Sequence, residues 1–365
     1  MFFKMFSGMM LRLPFFVHRG RVEQKARSRH WADEKEAVSS YRPYLVMLNV
    51  FRHVPITLAW AITHCVAVFF YLFNARARKE SKRFQTQLIA YEHSLGIPRK
   101  QLHKMRRFRQ VTAFALTVVE RLEVWEKSVG MERITCCDDD IVSLRERLDS
   151  GKGAVLFCSH LGNYDLLRGL ANYGRTSVKR KIRVVSIMDL SITKNFSHLL
   201  NSVNSDYEMD VLDANNIGVE SMFVMQDCIE NGGLVVIAGD RTANHTRKRI
   251  FIEQFLGKPA PFAYGSFFLA SLLAAPVYFV FTLRDKDYGL HPHYHMHVHC
   301  SNIDFDCPRA QKHERIAQLC HRFAVTLEKY TLEKPYQWYN FHDFWAMPDM
   351  LQEPDEENEK NALLR

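Results

Sequence analysis

From Ala154 onward the chain alternates short apolar runs with helix-period segments, and no other feature constrains its fold as tightly. The runs Ala154 to Cys158, Ile182 to Ile187, Leu234 to Ala238 and Pro276 to Leu283 are rich in β-branched and aromatic residues. Between and around them, Leu166 to Tyr173, Phe196 to Val203, Val219 to Glu230 and Tyr264 to Ala274 repeat apolar residues at the spacing of one helix face. Strands that alternate with helices pair in parallel and are covered on both faces. The pattern therefore predicts an α/β fold with a central, mostly parallel sheet flanked by helices. Functional side chains in such sheets gather at the carboxyl ends of the strands.

The N-terminal part reads differently. Val54 to Phe73 carries no formal charge, and a helix of that length spans about 30 Å, enough to cross a bilayer. Arg52 precedes it and Arg76, Arg78 and Lys79 follow it, so spanning the bilayer and lying in its surface are equally compatible with the flanks. Residues 30–80 are read as a membrane-associated helical region, preceded by a basic amphipathic extension over 1–29. Residues 81–347 form the expected catalytic domain, and the acidic, apolar-poor segment 348–365 is expected to be disordered. Helices are also predicted over Ser81 to Tyr91, Lys104 to Val129, Ile141 to Leu148 and Gln311 to Tyr330. The formal net charge of +9 calls for a polyanionic neighbour. The basic residues are not grouped with aromatics in one module, which argues against nucleic acid and for an anionic membrane face. Eight cysteines without C-x-x-C spacing read as reduced thiols in a cytoplasmic setting.

Two stretches carry chemistry. Cys158-Ser159-His160-Leu161-Gly162-Asn163-Tyr164-Asp165 follows the first apolar run. A histidine at a strand end with a carboxylate five residues on can act as a general base, the Asp165 carboxylate holding the ring of His160. On spacing alone, a loop histidine beside a helix-capping aspartate is the commoner explanation. Gly239-Asp240-Arg241-Thr242 follows the run Leu234 to Ala238 and emerges at the same edge if the strands are parallel. Arg241 can hold a phosphate or steady an oxyanion, with Asp240 orienting it, although a structural Asp-Arg pair closing a loop fits equally well. His291, His293, His295, His297 and His299 alternate with Tyr294, Met296 and Val298, as on the exposed face of a half-buried strand. No coordination set is completed within that ladder, so no metal is assigned. Ser159 lacks a G-x-S-x-G context and is read as structural.

His160-Leu161-Gly162-Asn163-Tyr164-Asp165 resembles the H-x4-D/E block of the lysophospholipid acyltransferase superfamily, in the branch of the late acyltransferases of lipid A. The series Gly239-Asp240-Arg241, Phe255-Leu256-Gly257, Pro259-Ala260, Gly265, Leu269-Ala270 and Pro276-Val277 is similar to acyltransferases of aryl-polyene clusters. His30-Trp31-Ala32 and Pro335-Tyr336-Gln337-Trp338-Tyr339-Asn340-Phe341 extend the likeness. The resemblance implies a glycerolipid acyltransferase-like fold and a membrane-associated O-acyltransferase. It implies His160 and Asp165 as the catalytic pair and Gly162, Asn163, Asp240 and Arg241 as substrate-binding residues. Acyl carrier protein would be the donor and a lipid or glycolipid hydroxyl the acceptor, with no cofactor. The expected location is the bacterial cytoplasmic membrane, with the catalytic domain on the cytoplasmic side. Asp165 stands where lipid A enzymes often carry Glu, which weakens lipid A as the acceptor. A lipid hydrolase or thioesterase using the same pair, and a non-catalytic basic membrane-surface protein, are the alternatives.

Overall fold

Strand pairing fixes where the chemistry falls. In a computed structural model, which describes residues 53–97, 107–125, 131–138, 140–166, 178–190, 209–241, 249–287, 289 and 291–347, the sheet contains β1 (Ile134–Cys136), β2 (Ala154–Cys158), β3 (Val184–Met188), β4 (Met209–Asp213), β5 (Leu234–Ala238), β8 (Val277–Arg284) and β9 (Tyr294–Cys300). β6 (Ile250–Phe255) and β7 (Lys258–Ala263) form a separate hairpin. The extension 1–29, His30-Trp31-Ala32, nearly all of Leu166 to Tyr173, the whole of Phe196 to Val203, Thr242 and the tail 348–365 lie outside the described residues.

The strand order is β1-β9-β8-β2-β5-β3-β4. β8, β2, β5, β3 and β4 are parallel, β9 runs antiparallel to β8, and β1 is parallel to β9. The mostly parallel α/β sheet is therefore present. β2 and β8 are buried along their whole length, which is why their sequences are continuously apolar. Alternate residues of β2 feed opposite layers. Val155 and Phe157 join the larger core, while Ala154, Leu156 and Cys158 join a smaller one with Leu144 and Leu148 of α4 (Asp140–Asp149). Phe157 meets the rings of Phe267, Phe279 and Phe323 at centroid distances of 5.1, 6.4 and 5.6 Å. Burial of each such ring contributes about 1.5–3 kcal/mol.

Four strands, β1, β4, β6 and β7, were not legible from periodicity. β1 spans three residues, and β4, at the sheet edge, carries Asp210 and Asp213 three apart, which breaks the period of a strand. In β7, Pro259 and Pro261 read as loop punctuation. Both pair within a two-stranded ladder, opposite Gln254 and Ile252, where prolines without a donor are tolerated. The hairpin turns at Leu256 and Gly257, with φ of 50° and 74°. Leu256 is a fully buried, non-glycine residue in the left-handed region, and its backbone is gripped from two helices. The carboxylate of Glu328 on the long helix Arg309–Glu333 accepts its N–H, and Gln87 of α2 (Ala75–Ser94) donates to its carbonyl at 2.6 Å. Glu328 also accepts from the Tyr91 hydroxyl at 2.9 Å.

α1 (Ile56–Phe73) is long and apolar enough to cross a membrane. Ala59, Thr63, Ala67 and Phe70 form its buried stripe, against α3 (Arg107–Trp125). The opposite side exposes Leu58, Val68, Phe69, Leu72 and Phe73, with Leu72 at 57% and Phe73 at 52%. A helix buried as an internal core element would cover these side chains as well. Arg78 donates to the carbonyls of Tyr71 and Leu72, satisfying the end of α1. The Asn74 side chain accepts from Ala77 N–H at 2.8 Å and starts α2, which runs through the expected domain boundary at residue 80.

Glu328→Ala leaves Leu256 N–H and the Tyr91 hydroxyl without their shared acceptor. The expected loss is about 2–3 kcal/mol of stability, read as a lowered denaturation midpoint with an unchanged slope against denaturant.

Candidate active site

The register of β2 and β5 pairs Cys158 with Ala238 as the last rung. Two residues beyond each strand end stand His160 and Asp240, so parallel pairing alone carries an imidazole and a carboxylate to one sheet edge. Gly239 continues the ladder by donating to the Cys158 carbonyl at 3.0 Å. A side chain at Gly239 would meet the Phe323 ring at 2.6 Å, so only glycine lets the two strand ends stay together over the core.

Asp240 grips His160 at two points. Its Oδ1 lies 2.9 Å from the ring Nδ1, and its Oδ2 accepts the backbone N–H of His160 at 2.8 Å. A carboxylate on Nδ1 holds the ring proton there and leaves Nε2 as the acceptor, the form a general base needs. Burial lowers the imidazole pKa from its usual value; the Arg241 charge adds to this, Asp240 opposes it, and Arg121 lowers it further. Burial by itself would raise the Asp240 carboxyl, but the charge and hydrogen bonds of His160, together with Arg241, hold it below the usual carboxylate range.

Asp165 occupies a different place from the one its spacing suggested. It is fully buried, with Oδ2 2.7 Å from Nε of Arg121 on α3. Chain proximity suggested Asp165 as the carboxylate on the His160 ring, whereas strand register supplies Asp240 at Nδ1 from 80 residues away. Gly162 and Asn163 are likewise buried. Gly162 has φ of 76° and bridges Thr282 of β8; an added Cβ would stand 2.1 Å from the Thr282 carbonyl oxygen. Asn163 N–H donates to that carbonyl at 2.9 Å, while its side chain accepts from Asp165 N–H at 3.2 Å. Their observed contacts shape the turn. Ser159 is buried and accepts from Leu161 N–H at 3.2 Å.

The far C-terminal strap backs this turn. Tyr339 N–H donates to the His160 carbonyl at 3.0 Å, and Gly162 N–H donates to the Gln337 carbonyl at 2.9 Å. The Gln337 side chain bonds Arg284 N–H and its carbonyl at 2.8 and 3.0 Å, tying the strap to β8. Gln110 on α3 donates to the Trp338 carbonyl at 2.9 Å. The strap was singled out by family likeness and not for these contacts, and Gln110 and Arg121 carry no local sequence signal.

Within β9 the histidine alternation holds over His295, His297 and His299, with Tyr294, Met296 and Val298 buried opposite. His291 and His293 precede the strand, and His291 has φ of 51°. The face is not simply solvated. His297 Nδ1 lies 3.0 Å from Asp138, and His299 Nε2 lies 2.6 Å from the Tyr330 hydroxyl. No group of three or more potential metal ligands is assembled among the described residues, and all eight cysteines are free.

Residues 36–346 match the family model of the bacterial lipid A biosynthesis acyltransferases. The chain belongs to that family. No curated protein matches it. Membership makes the chain an acyltransferase acting on lipid, and it places the edge built by His160 and Asp240 inside the matched region. Acyltransferases of this family are typically membrane-associated, in keeping with the exposed apolar side of α1.

Gly162→Ala introduces both a left-handed alanine and a clash with β8 backbone, so it should cost about 2–4 kcal/mol. The check is the denaturation midpoint of the variant, with loss of acyl transfer following the loss of folded protein.

Proposed function

We propose that the protein transfers an acyl group from an acyl carrier protein thioester to a hydroxyl of a lipid or glycolipid, with His160 as general base and Asp240 as its supporting carboxylate. The reading is carried by one observation: the imidazole is part-buried at the carboxyl edge of the sheet, with Nδ1 on a carboxylate. Nε2 takes the acceptor hydroxyl proton as the oxygen attacks the thioester carbonyl. The tetrahedral oxyanion then collapses, the carbon–sulfur bond breaks, and the imidazolium returns the proton to the leaving thiolate. Asp240 stabilises the imidazolium while it exists. Arg241 is assigned the developing oxyanion or an acceptor phosphate. Asp165, Gly162 and Asn163 belong to the site as the frame of the turn. The likeness to aryl-polyene acyltransferases and the Asp at position 165 favour an acceptor other than lipid A itself. The basic balance of the chain suits an acidic carrier as donor.

We assign the protein to the cytoplasmic membrane, seated by α1, with the catalytic edge on the cytoplasmic side where carrier thioesters are made. Lipid extracts from cells with and without the protein, compared by mass spectrometry, test the reaction. A species gaining one acyl increment supports transfer, and accumulation of free acid alone indicates hydrolysis instead.

His160→Ala should lower turnover by about 10²- to 10⁴-fold with the fold intact, and Asp240→Asn should be similarly impaired. Because His160 titrates below its usual value, the acid limb of kcat/KM should lie below pH 6.5. Arg241→Gln removes a cation that disfavours the imidazolium, so its limb should move to higher pH. A folded His160→Ala enzyme with full turnover would remove His160 from the mechanism.

Burial of an apolar helix face in lipid is not weakened by salt, whereas head-group attraction is screened within about 3 Å at 1 M. The protein should therefore remain in the membrane pellet after a high-salt wash and be released by detergent. Recovery in the soluble fraction would sink the membrane assignment.

A further inference from the structure

We propose that Arg121 is a positioning residue for acyl transfer, holding the His160 turn in place from α3 through Asp165 and Tyr164. The proposal rests on His160 being the base. Three contacts converge on this arginine's chain of influence. Its Nε is 2.7 Å from Oδ2 of Asp165, a carboxylate with no exposed surface. Its guanidinium lies over the Tyr164 ring, 4.6 Å from the centroid. Tyr164 in turn presents to the His160 ring edge-on, at a centroid distance of 5.7 Å and an interplanar angle of 67°.

Asp240 fixes one end of the turn at His160. Arg121 fixes the other end at Asp165. Between them, the Asn163 side chain closes the bend on Asp165 N–H, and Gly162 is pinned against Thr282. With both ends held, the imidazole has one orientation from which Nε2 can meet a hydroxyl. A planar guanidinium suits this task because it can pair with a carboxylate and stack on an aromatic face together; a lysine ammonium has the charge without the plane. Arg121 is itself only 15% exposed, so its charge is committed to these partners. The ion pair also assigns Asp165 its work. That carboxylate anchors the turn to α3, the helix that packs on α1, so the membrane-facing layer and the base share one support.

The test compares Arg121→Met and Arg121→Lys with the wild type, using the detergent-solubilised full chain. Myristoyl-acyl carrier protein and a bacterial polar-lipid extract serve as substrates, and released carrier thiol is the readout. We expect Arg121→Met to lower kcat by about 10- to 100-fold, the scale of a small misplacement of a reacting group. Its KM should stay within about threefold, as for an interaction made in the transition state. The acid limb should move to higher pH, because a cation near the imidazole has gone. Arg121→Lys should restore the limb but only part of kcat. Arg121→Met with Asp165→Asn should be no worse than Arg121→Met alone, since paired residues acting as a unit are not additive. In parallel, ¹⁵N-histidine spectra, with His160 assigned through His160→Gln, should show the ring proton on Nδ1 in the wild type. Arg121→Met should show a raised His160 pKa and a smaller Nδ1–H fraction; this arm decides if the donor or acceptor chosen is not turned over. Wild-type kinetics and spectra in folded Arg121→Met would overturn the proposal. So would a loss of activity that only tracks loss of folded protein, with the acid limb and tautomer unmoved. If His160→Ala keeps full activity, the base assignment fails instead, which separates the two.

Discussion

The parallel register of β2 against β5 is the constraint on which the site depends. Cys158 opposite Ala238 leaves each strand two residues from His160 or Asp240, and backbone hydrogen bonds fix the separation before any side chain contributes. A one-residue slip would send His160 or Asp240 to the opposite face of the sheet. Five fully buried residues in β2 and four in β5 make such a slip costly, because it would exchange the contents of the two core layers. The geometry of the proposed site is thus held largely by apolar packing. Phe157, whose ring is stacked at 5.1 Å on Phe267, belongs to the same strand that delivers His160.

That dependence explains what the chain revealed in linear form. β2 and β5 were legible to the residue because a strand covered on both faces is continuously apolar, and the helix Val219 to Glu230 was legible because its period is unbroken. His160, Asp240 and Arg241 stood out because polar groups directly follow buried strands. The choice of carboxylate was not legible. Asp165 is five residues from His160 and Asp240 is 80, yet the nearer residue is drawn to Arg121 and the distant one meets Nδ1. Spacing reports what a local turn permits; register reports what it is built beside. β7 was hidden for a related reason, since Pro259 and Pro261 are excluded from a central strand but tolerated in an isolated two-stranded ladder.

The N-terminal helices are more than an anchor attached to an enzyme. α1 packs on α3, α3 carries Arg121 and Gln110, and Gln110 holds the strap that carries Tyr339 to the His160 carbonyl. α2 grips the hairpin turn at Leu256, which follows the Asp240-Arg241 end of β5 in the chain. α3 also buries Glu120, whose carboxylate meets Arg284 at 3.1 Å and the Tyr294 hydroxyl at 2.7 Å. A buried charged group of this kind adds little net stability, but removing one partner strands the others, so it enforces one docking of α3 on β8 and β9.

The charges around His160 acquire a consistent role on the proposed mechanism. At rest, burial and the nearby cations Arg241 and Arg121 oppose protonation of the imidazole, and Asp240 favours it. Two unit charges 4 Å apart interact by about 4 kcal/mol at an effective dielectric of 20, whereas one pKa unit is about 1.4 kcal/mol. The balance is therefore sensitive to any new charge in the site. When the base takes a proton, an oxyanion develops at the same moment. Arg241 then changes from a group that disfavours the imidazolium into one that stabilises the oxyanion, while Asp240 holds the imidazolium. Each interaction is stronger in the transition state than before it, and this difference is what raises kcat.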